Sequence, residues 1–325
     1  MPTPRVVLHI GRQKTGTSSI QRFLAANASA LAEEGILYPE TGRLGGRHIA
    51  HHELATALNE RESDGSALAE LQGRFRAEIG SSPHPVVVLS SEAFQRVHDF
   101  GRLRRFFGAS RPYVVCYLRE CLAAKQSSWA QALQATSQNA AFLDFATGRR
   151  FAYQRFAAGW RRFADELDLA LYERERLRDG DIVADFLTRI GHVSLANRLG
   201  SLVRDDGSPS LGGNLLHLRR VMNVARAGRP DPRGTFESLS TLAASEPRWR
   251  GRWRVTALER AAIDRVDRDD ARYLEGVFGE IRREDFDLLP PMPELATLAE
   301  DTTRILSEPI IAEGFAALGL RAGVR

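Results

Sequence analysis

The sequence predicts an α/β protein: a three-layer sandwich with a central parallel sheet of four to five strands and a helical C-terminal portion. Three observations carry this expectation. Short apolar runs at 6–10, 86–89, 113–118 and 167–172 lack the polar alternation of half-exposed strands, so they read as strands buried on both faces. Stretches with helical spacing lie between them and are long enough to serve as crossovers. After Tyr172 no strand pattern recurs, and the chain reads as loops and helices.

The elements follow in order. Val6, Val7, Leu8 and Ile10 form the first strand, and Gly11 to Thr17 a small turn rich in glycine and hydroxyl groups. The helix that opens there places Ile20, Phe23, Leu24 and Leu31 on one face, and Gly35 stops it. Residues 36–39 are a short extended segment ended by Pro39, and 40–48 are a loop. Leu68, Leu71, Phe75 and Ile79 mark a helix over 64–79 before the second buried strand, which runs into Ser90-Ser91-Glu92. A short helix over 99–107 precedes the third strand, which Arg119 ends, and a helix over 121–136 follows. Phe156, Trp160 and Phe163 give 153–166 an amphipathic helical face, which reads as core. Asp181 caps a helix that Gly191 stops. Beyond it come helices over 214–226 and 256–282. The expected organisation is a 1–199 α/β core and a 200–325 helical extension or lid packed on the same domain.

A formal net charge of +4, with acidic residues spread throughout, excludes a basic nucleic-acid arm and decides little else. No apolar run approaches the ~18 residues that a membrane span needs. The first residues show no secretory pattern, so the expectation is a cytoplasmic protein. Cys116 and Cys121 form neither a C-x-x-C pair nor a metal set, and read as plain reduced thiols. The 45 basic residues include only two lysines, Lys14 and Lys125. A lysine that survives so strong an arginine bias points to a need for a compact, mobile ammonium.

Strand, glycine-rich turn and helix N-terminus together make an anion cradle. The Walker pattern G-x-x-x-x-G-K-[ST] sets its lysine directly after the second glycine. Here Gly11 and Gly16 have that separation, but Lys14 comes two places before Gly16, which argues against an ordinary ATP or GTP site. In an open parallel sheet ligands sit beyond the carboxyl ends of the strands, so 11–19, 90–92 and Arg119 are expected to converge.

These motifs resemble the sulfotransferases that use 3′-phosphoadenosine 5′-phosphosulfate (PAPS), whose phosphosulfate loop is G-x-x-K-[ST]-G-T-[ST]-[ST] between strand and helix. The resemblance extends over residues 5–225 and implies a P-loop NTPase-like fold. By it, Gly11, Arg12, Gln13, Lys14, Thr15, Gly16, Thr17, Ser18 and Ser19 bind the phosphosulfate, and Lys14 stabilises the leaving group. A strand-end arginine and a serine eight residues later hold the 3′-phosphate in that family, and Arg119 and Ser127 match them in type and spacing. Many members carry Asx-Pro after the arginine, where this chain has Glu120-Cys121. Lys125 is placed either at this site or on a solvent face, and Arg226, Arg229 and Arg233 are further candidates for the 3′-phosphate. A His or Glu at the end of the preceding strand is the family's proton acceptor, and Glu92 occupies that position; a first-turn helix glutamate is its alternative reading.

His48, His51 and His52 are candidates for acceptor binding or an alternative base. His48 and His52 have an i, i+4 spacing that could bind metal on a helix, but no third ligand accompanies them, and no metal is expected. His9 reads as structural. The expected function is sulfuryl transfer from PAPS to a hydroxyl or amine of a small-molecule or glycan acceptor, a carbohydrate or glycolipid among the candidates, with the adenosine 3′,5′-bisphosphate as product. A small-molecule kinase with a degenerate P-loop, or a non-catalytic nucleotide- or anion-binding protein, are the alternatives. Oligomeric state is not legible.

Overall fold

The structure is a computed structural model that describes residues 4–12, 14–44, 48–60, 65–198, 211–281 and 293–318. Gln13 and the expected boundary at 199/200 lie outside the described residues. The N-terminal elements are β1 (Arg5–His9), α1 (Thr17–Ala26), α2 (Ala28–Glu33), β2 (Ile36–Leu37), α3 (His52–Asn59), α4 (Ser66–Gly80), β3 (Val86–Ser90), α5 (Phe100–Phe107) and β4 (Tyr113–Leu118). They continue with α6 (Cys121–Ala135), α7 (Phe142–Thr147), α8 (Tyr153–Phe163), β5 (Glu166–Leu171), α9 (Ile182–Arg189) and α10 (Val193–Asn197). The C-terminal helices are α11 (Gly213–Arg226), α12 (Thr235–Ser245), α13 (Ala257–Phe278), α14 (Leu295–Leu306) and α15 (Pro309–Ala316).

By its contacts the chain divides into two units, residues 1–119 with 153–207, and residues 120–152 with 208–325. The first unit holds one five-stranded sheet in the order β2-β3-β1-β4-β5, parallel throughout. β1 sits at the centre, with Val7 opposite Val88 of β3 on one side and Tyr113 of β4 on the other. Period-two alternation sends Val7, Val88, Val115 and Tyr117 to one face, where Ile20, Phe23 and Leu24 of α1 and Val183, Phe186 and Leu187 of α9 cover them. Beside the other layer, Phe75 of α4, Phe106 and Phe107 of α5, and Trp160 and Phe163 of α8 form a chain of ring contacts. The aromatic stripe of α8 is thus core, as its spacing predicts. Tyr117 donates to Asp185 at 2.8 Å, and Arg189 bridges Asp185 and Asp168, which fixes α9 to β4 and β5.

One local difference from the sequence reading has a simple cause, and one expected segment takes its place in the sheet. The helix expected from Thr17 through Leu31 is broken at Asn27, whose backbone N–H and side-chain Nδ2 both donate to the carbonyl of Phe23. The short extended segment at 36–37 is a real edge strand, paired to Val86 and Val87.

The second unit is helical, and it takes in residues 120–152 rather than beginning at 200. Trp129 of α6 packs edge-on to Trp253 with ring centroids 5.0 Å apart, in a core with Phe142, Leu215, Trp249 and Ile263. Lys125 of α6 is fully buried, with Nζ 2.5 Å from Oδ1 of Asp267 on α13. Both of its expected placements are corrected: neither a nucleotide site nor solvent holds it, because the ion pair fixes it inside this unit. Arg219 is also buried; it caps α6 at the Leu133 carbonyl and forks onto Asp231 at 2.8 and 2.6 Å. Among the described residues no helix is long and apolar enough to cross a membrane.

Candidate active site

β1 delivers the chain through Ile10 into the turn that opens α1. Gly11 must be glycine, since a Cβ there would stand 2.7 Å from Oγ1 of Thr17 and 3.0 Å from Nε2 of His9. Lys14 adopts a left-handed φ of 65°, a conformation that costs a non-glycine residue roughly 1–2 kcal/mol. Two hydrogen bonds hold this turn: Thr15 Oγ1 donates to the Arg12 carbonyl at 2.5 Å, and Arg119 Nη1 donates to the Lys14 carbonyl at 2.8 Å. Arg119, at the end of β4, is therefore brought onto the loop, as strand-end convergence predicts.

Gly16 follows at φ 75° as the N-cap of α1, and no side chain caps the helix. Asp99, Glu120, Asp181 and Thr256 do cap the helices they precede. The first N–H groups of α1 and the positive end of its dipole therefore open directly after the Lys14 turn. The Lys14 ammonium makes no hydrogen bond or ion pair among the described residues. Burial, and then the positive charge of Arg119, pull its pKa down. A half-buried lysine set against an arginine is an arrangement that an anion completes. Thr15 and Thr17 are buried, Ser19 is half-buried, and Ser18 is exposed. Arg12 lies over the rings of Tyr153 and Phe156 at 5.4 and 4.7 Å.

Glu92 follows β3, one strand over from β1, as an acidic residue in the first turn of a 3₁₀ helix that Ser91 caps. Both of its oxygens are engaged. Gln21 of α1 donates to Oε2 at 3.0 Å, and Nε2 of His52 lies 3.7 Å from Oε1. Ser91 Oγ accepts from the Ala93 N–H at 3.1 Å and lies 2.7 Å from Nδ1 of His52. With Nδ1 on the serine, Nε2 of the same ring faces Glu92. Ser91 itself is fully buried, so it serves as a cap and an orienting group. Ser91 lies in the 90–92 strand end expected to converge here, whereas Gln21 is a site residue that the sequence reading missed. The visible signal for Gln21 was one polar residue on an otherwise apolar helix face.

The three candidate histidines separate. His51 is fully buried, donates from Nε2 to the Pro39 carbonyl at 3.1 Å, and accepts at Nδ1 from the Ser90 N–H at 3.1 Å. Burial, chiefly, and the Arg43 charge lower its pKa to about 3. With both nitrogens satisfied by backbone it offers nothing to an acceptor, which corrects that expectation. His48 is exposed and its ring stands 5.0 Å from that of His52. His52, on the first turn of α3, is the one that meets Glu92. His9, at the end of β1, is fully buried, with Nδ1 2.7 Å from Ser90 Oγ and burial holding its pKa near 3.

Ser127 is half-buried on α6 of the second unit, whereas Arg119 belongs to the first, so their pairing rests on the sequence pattern alone. Arg226, also in the second unit, pairs with Asp231 at 3.1 Å, while Arg229 is exposed beside it. These two arginines help line a cavity of about 240 Å³. Among the described residues no group of three or more His, Cys, Asp or Glu could hold a metal ion. Cys116 and Cys121 are free and buried, and burial pushes the Cys116 thiol up to about 12. No family model, curated protein or solved structure matches the chain.

Proposed function

We propose that this chain is a PAPS-dependent sulfotransferase that moves a sulfuryl group to a hydroxyl or amine of a small-molecule or glycan acceptor. Lys14 carries the reading. Its ammonium is unpaired among the described residues, half-buried and set against Arg119, on a strained turn pinned at the uncapped start of α1. That charge set suits a nucleotide with two anionic groups, and the position of Lys14 before Gly16 suits a phosphosulfate better than a triphosphate.

When bound, the nucleotide supplies the sulfuryl group and leaves as the 3′,5′-bisphosphate. The N–H groups after Gly16 bind its anionic end, and Lys14 neutralises charge as it develops on the leaving oxygen. Arg119 holds the Lys14 carbonyl, so it orients the loop as well as adding charge. Glu92 takes the acceptor proton, with Gln21 fixing one carboxylate oxygen and His52 standing at the other.

Calorimetric titration with adenosine 3′,5′-bisphosphate against ADP–Mg²⁺ tests the reading. The bisphosphate is expected to bind more tightly, and tighter ADP–Mg²⁺ would favour a kinase and overturn it. Glu92→Gln should lower turnover by about 10²–10⁴ and leave bisphosphate binding intact; full activity in that variant removes Glu92 from the mechanism.

A further inference from the structure

The acceptor side of the site contains a charge that no ion pair among the described residues balances. Arg43 lies in the loop between β2 and α3 and is only 7% exposed. It makes no ion pair among the described residues, and its Nε is buried without a hydrogen-bond partner. Among the described residues its side-chain hydrogen bond is a long one, from Nη1 to the His48 carbonyl at 3.5 Å, and its guanidinium lies 5.2 Å from the Tyr38 ring centre. No carboxylate of the described residues lies within ion-pair distance of it. Glu78 accepts from the backbone N–H groups of Glu40 and Thr41, and Glu92 is held by Gln21 and His52. A buried guanidinium without a counter-ion is unfavourable unless something pairs with it.

Arg43 also stands beside the Glu92 group. Its charge and that of Glu92 both act on Tyr38, with opposite sign. The carbonyl it contacts belongs to His48, whose ring packs against His52, the neighbour of Glu92. We infer that Arg43 is a binding residue for the acceptor, and that the acceptor is anionic: it carries a carboxylate, sulfate or phosphate that the guanidinium fork takes up while the nucleophilic group faces Glu92. The word acceptor rests on the transferase reading; the oxyanion site does not.

Calorimetry with glucuronate and glucose, which differ at one carboxylate, tests this, with acetate, sulfate and inorganic phosphate as further probes. Glucuronate is expected to bind the wild type and glucose not. Arg43→Met should weaken glucuronate binding roughly tenfold or more, whereas Lys14→Ala should leave it unchanged, which separates this site from the phosphosulfate loop. Removal of an unbalanced buried charge should also leave the melting temperature of Arg43→Met equal or higher. Should that variant fail to fold, Arg43→Lys keeps the charge without the fork, and a loss of affinity there carries the same meaning. The proposal is overturned if none of the four anions binds in an Arg43-dependent way, or if Arg43→Met melts lower and binds them as the wild type does. Bisphosphate binding in the same samples keeps the two claims apart: its failure removes the transferase reading and leaves the anion site standing.

Discussion

Lys14 combines two roles that mutation can separate. Its side chain is the proposed leaving-group charge, and its backbone occupies a left-handed conformation that glycine adopts more readily. Lys14→Ala and Lys14→Gly should both lower kcat by about 10²–10³, since each removes the ammonium. Only glycine relieves the turn, so Lys14→Gly should be more stable than Lys14→Ala by about 1 kcal/mol in urea unfolding. Equal stabilities would show that the turn holds no strain. Lys14 stood out in the sequence because its position relative to Gly16 and its rarity are both one-dimensional facts. Arg43 did not, because a missing partner is visible only when the surrounding carboxylates have been placed.

Within elements, the turn of α1 and the α6–α13 ion pair make opposite demands. A Cβ at Gly16 would lie 2.9 Å from Cγ1 of Ile182 and 3.0 Å from Cε2 of Tyr172, in a left-handed backbone. Gly16→Ala should therefore cost about 1–3 kcal/mol and weaken nucleotide binding together with stability. In the second unit, Lys125→Met should cost about 3–5 kcal/mol, because it leaves Asp267 buried and alone, while Lys125→Met with Asp267→Leu should recover most of that loss. Chemical unfolding of the two variants decides it; a double variant no more stable than the single would mean the pair itself is worth its burial. The strands and most of the helices were legible because their period is local. The grouping of 120–152 with the C-terminal helices was not, since it depends on Lys125 meeting Asp267 and Trp129 meeting Trp253 across more than a hundred residues of chain.

Over the whole molecule, buried ionisable groups set the response to acid. His9 and His51 titrate near 3 in the folded chain, against 6.5 for a free ring. Their contribution to stability is complete above about pH 6.5 and is lost as pH falls toward 3, at about 1.4 kcal/mol per pH unit for each ring. Asp267 works the other way. Burial pushes its carboxyl up to about 6 against the pull of Lys125, so its contribution is present below about pH 4 and is lost as pH rises through 6. Urea midpoints measured from pH 4 to 7 should rise with pH, and Asp267→Asn should steepen that rise; an unchanged slope would place Asp267 in an ordinary environment. The two lysines give the molecule one more property. Lys125 is sealed inside a core, so Lys14 is the only ε-amine within reach of a reagent. Its lowered pKa leaves more of it as free base, and therefore nucleophilic, at neutral pH. An acylating ester should label one lysine per chain, and a nucleotide that fills the loop should shield it, which turns a scarcity of residues into a reporter of occupancy.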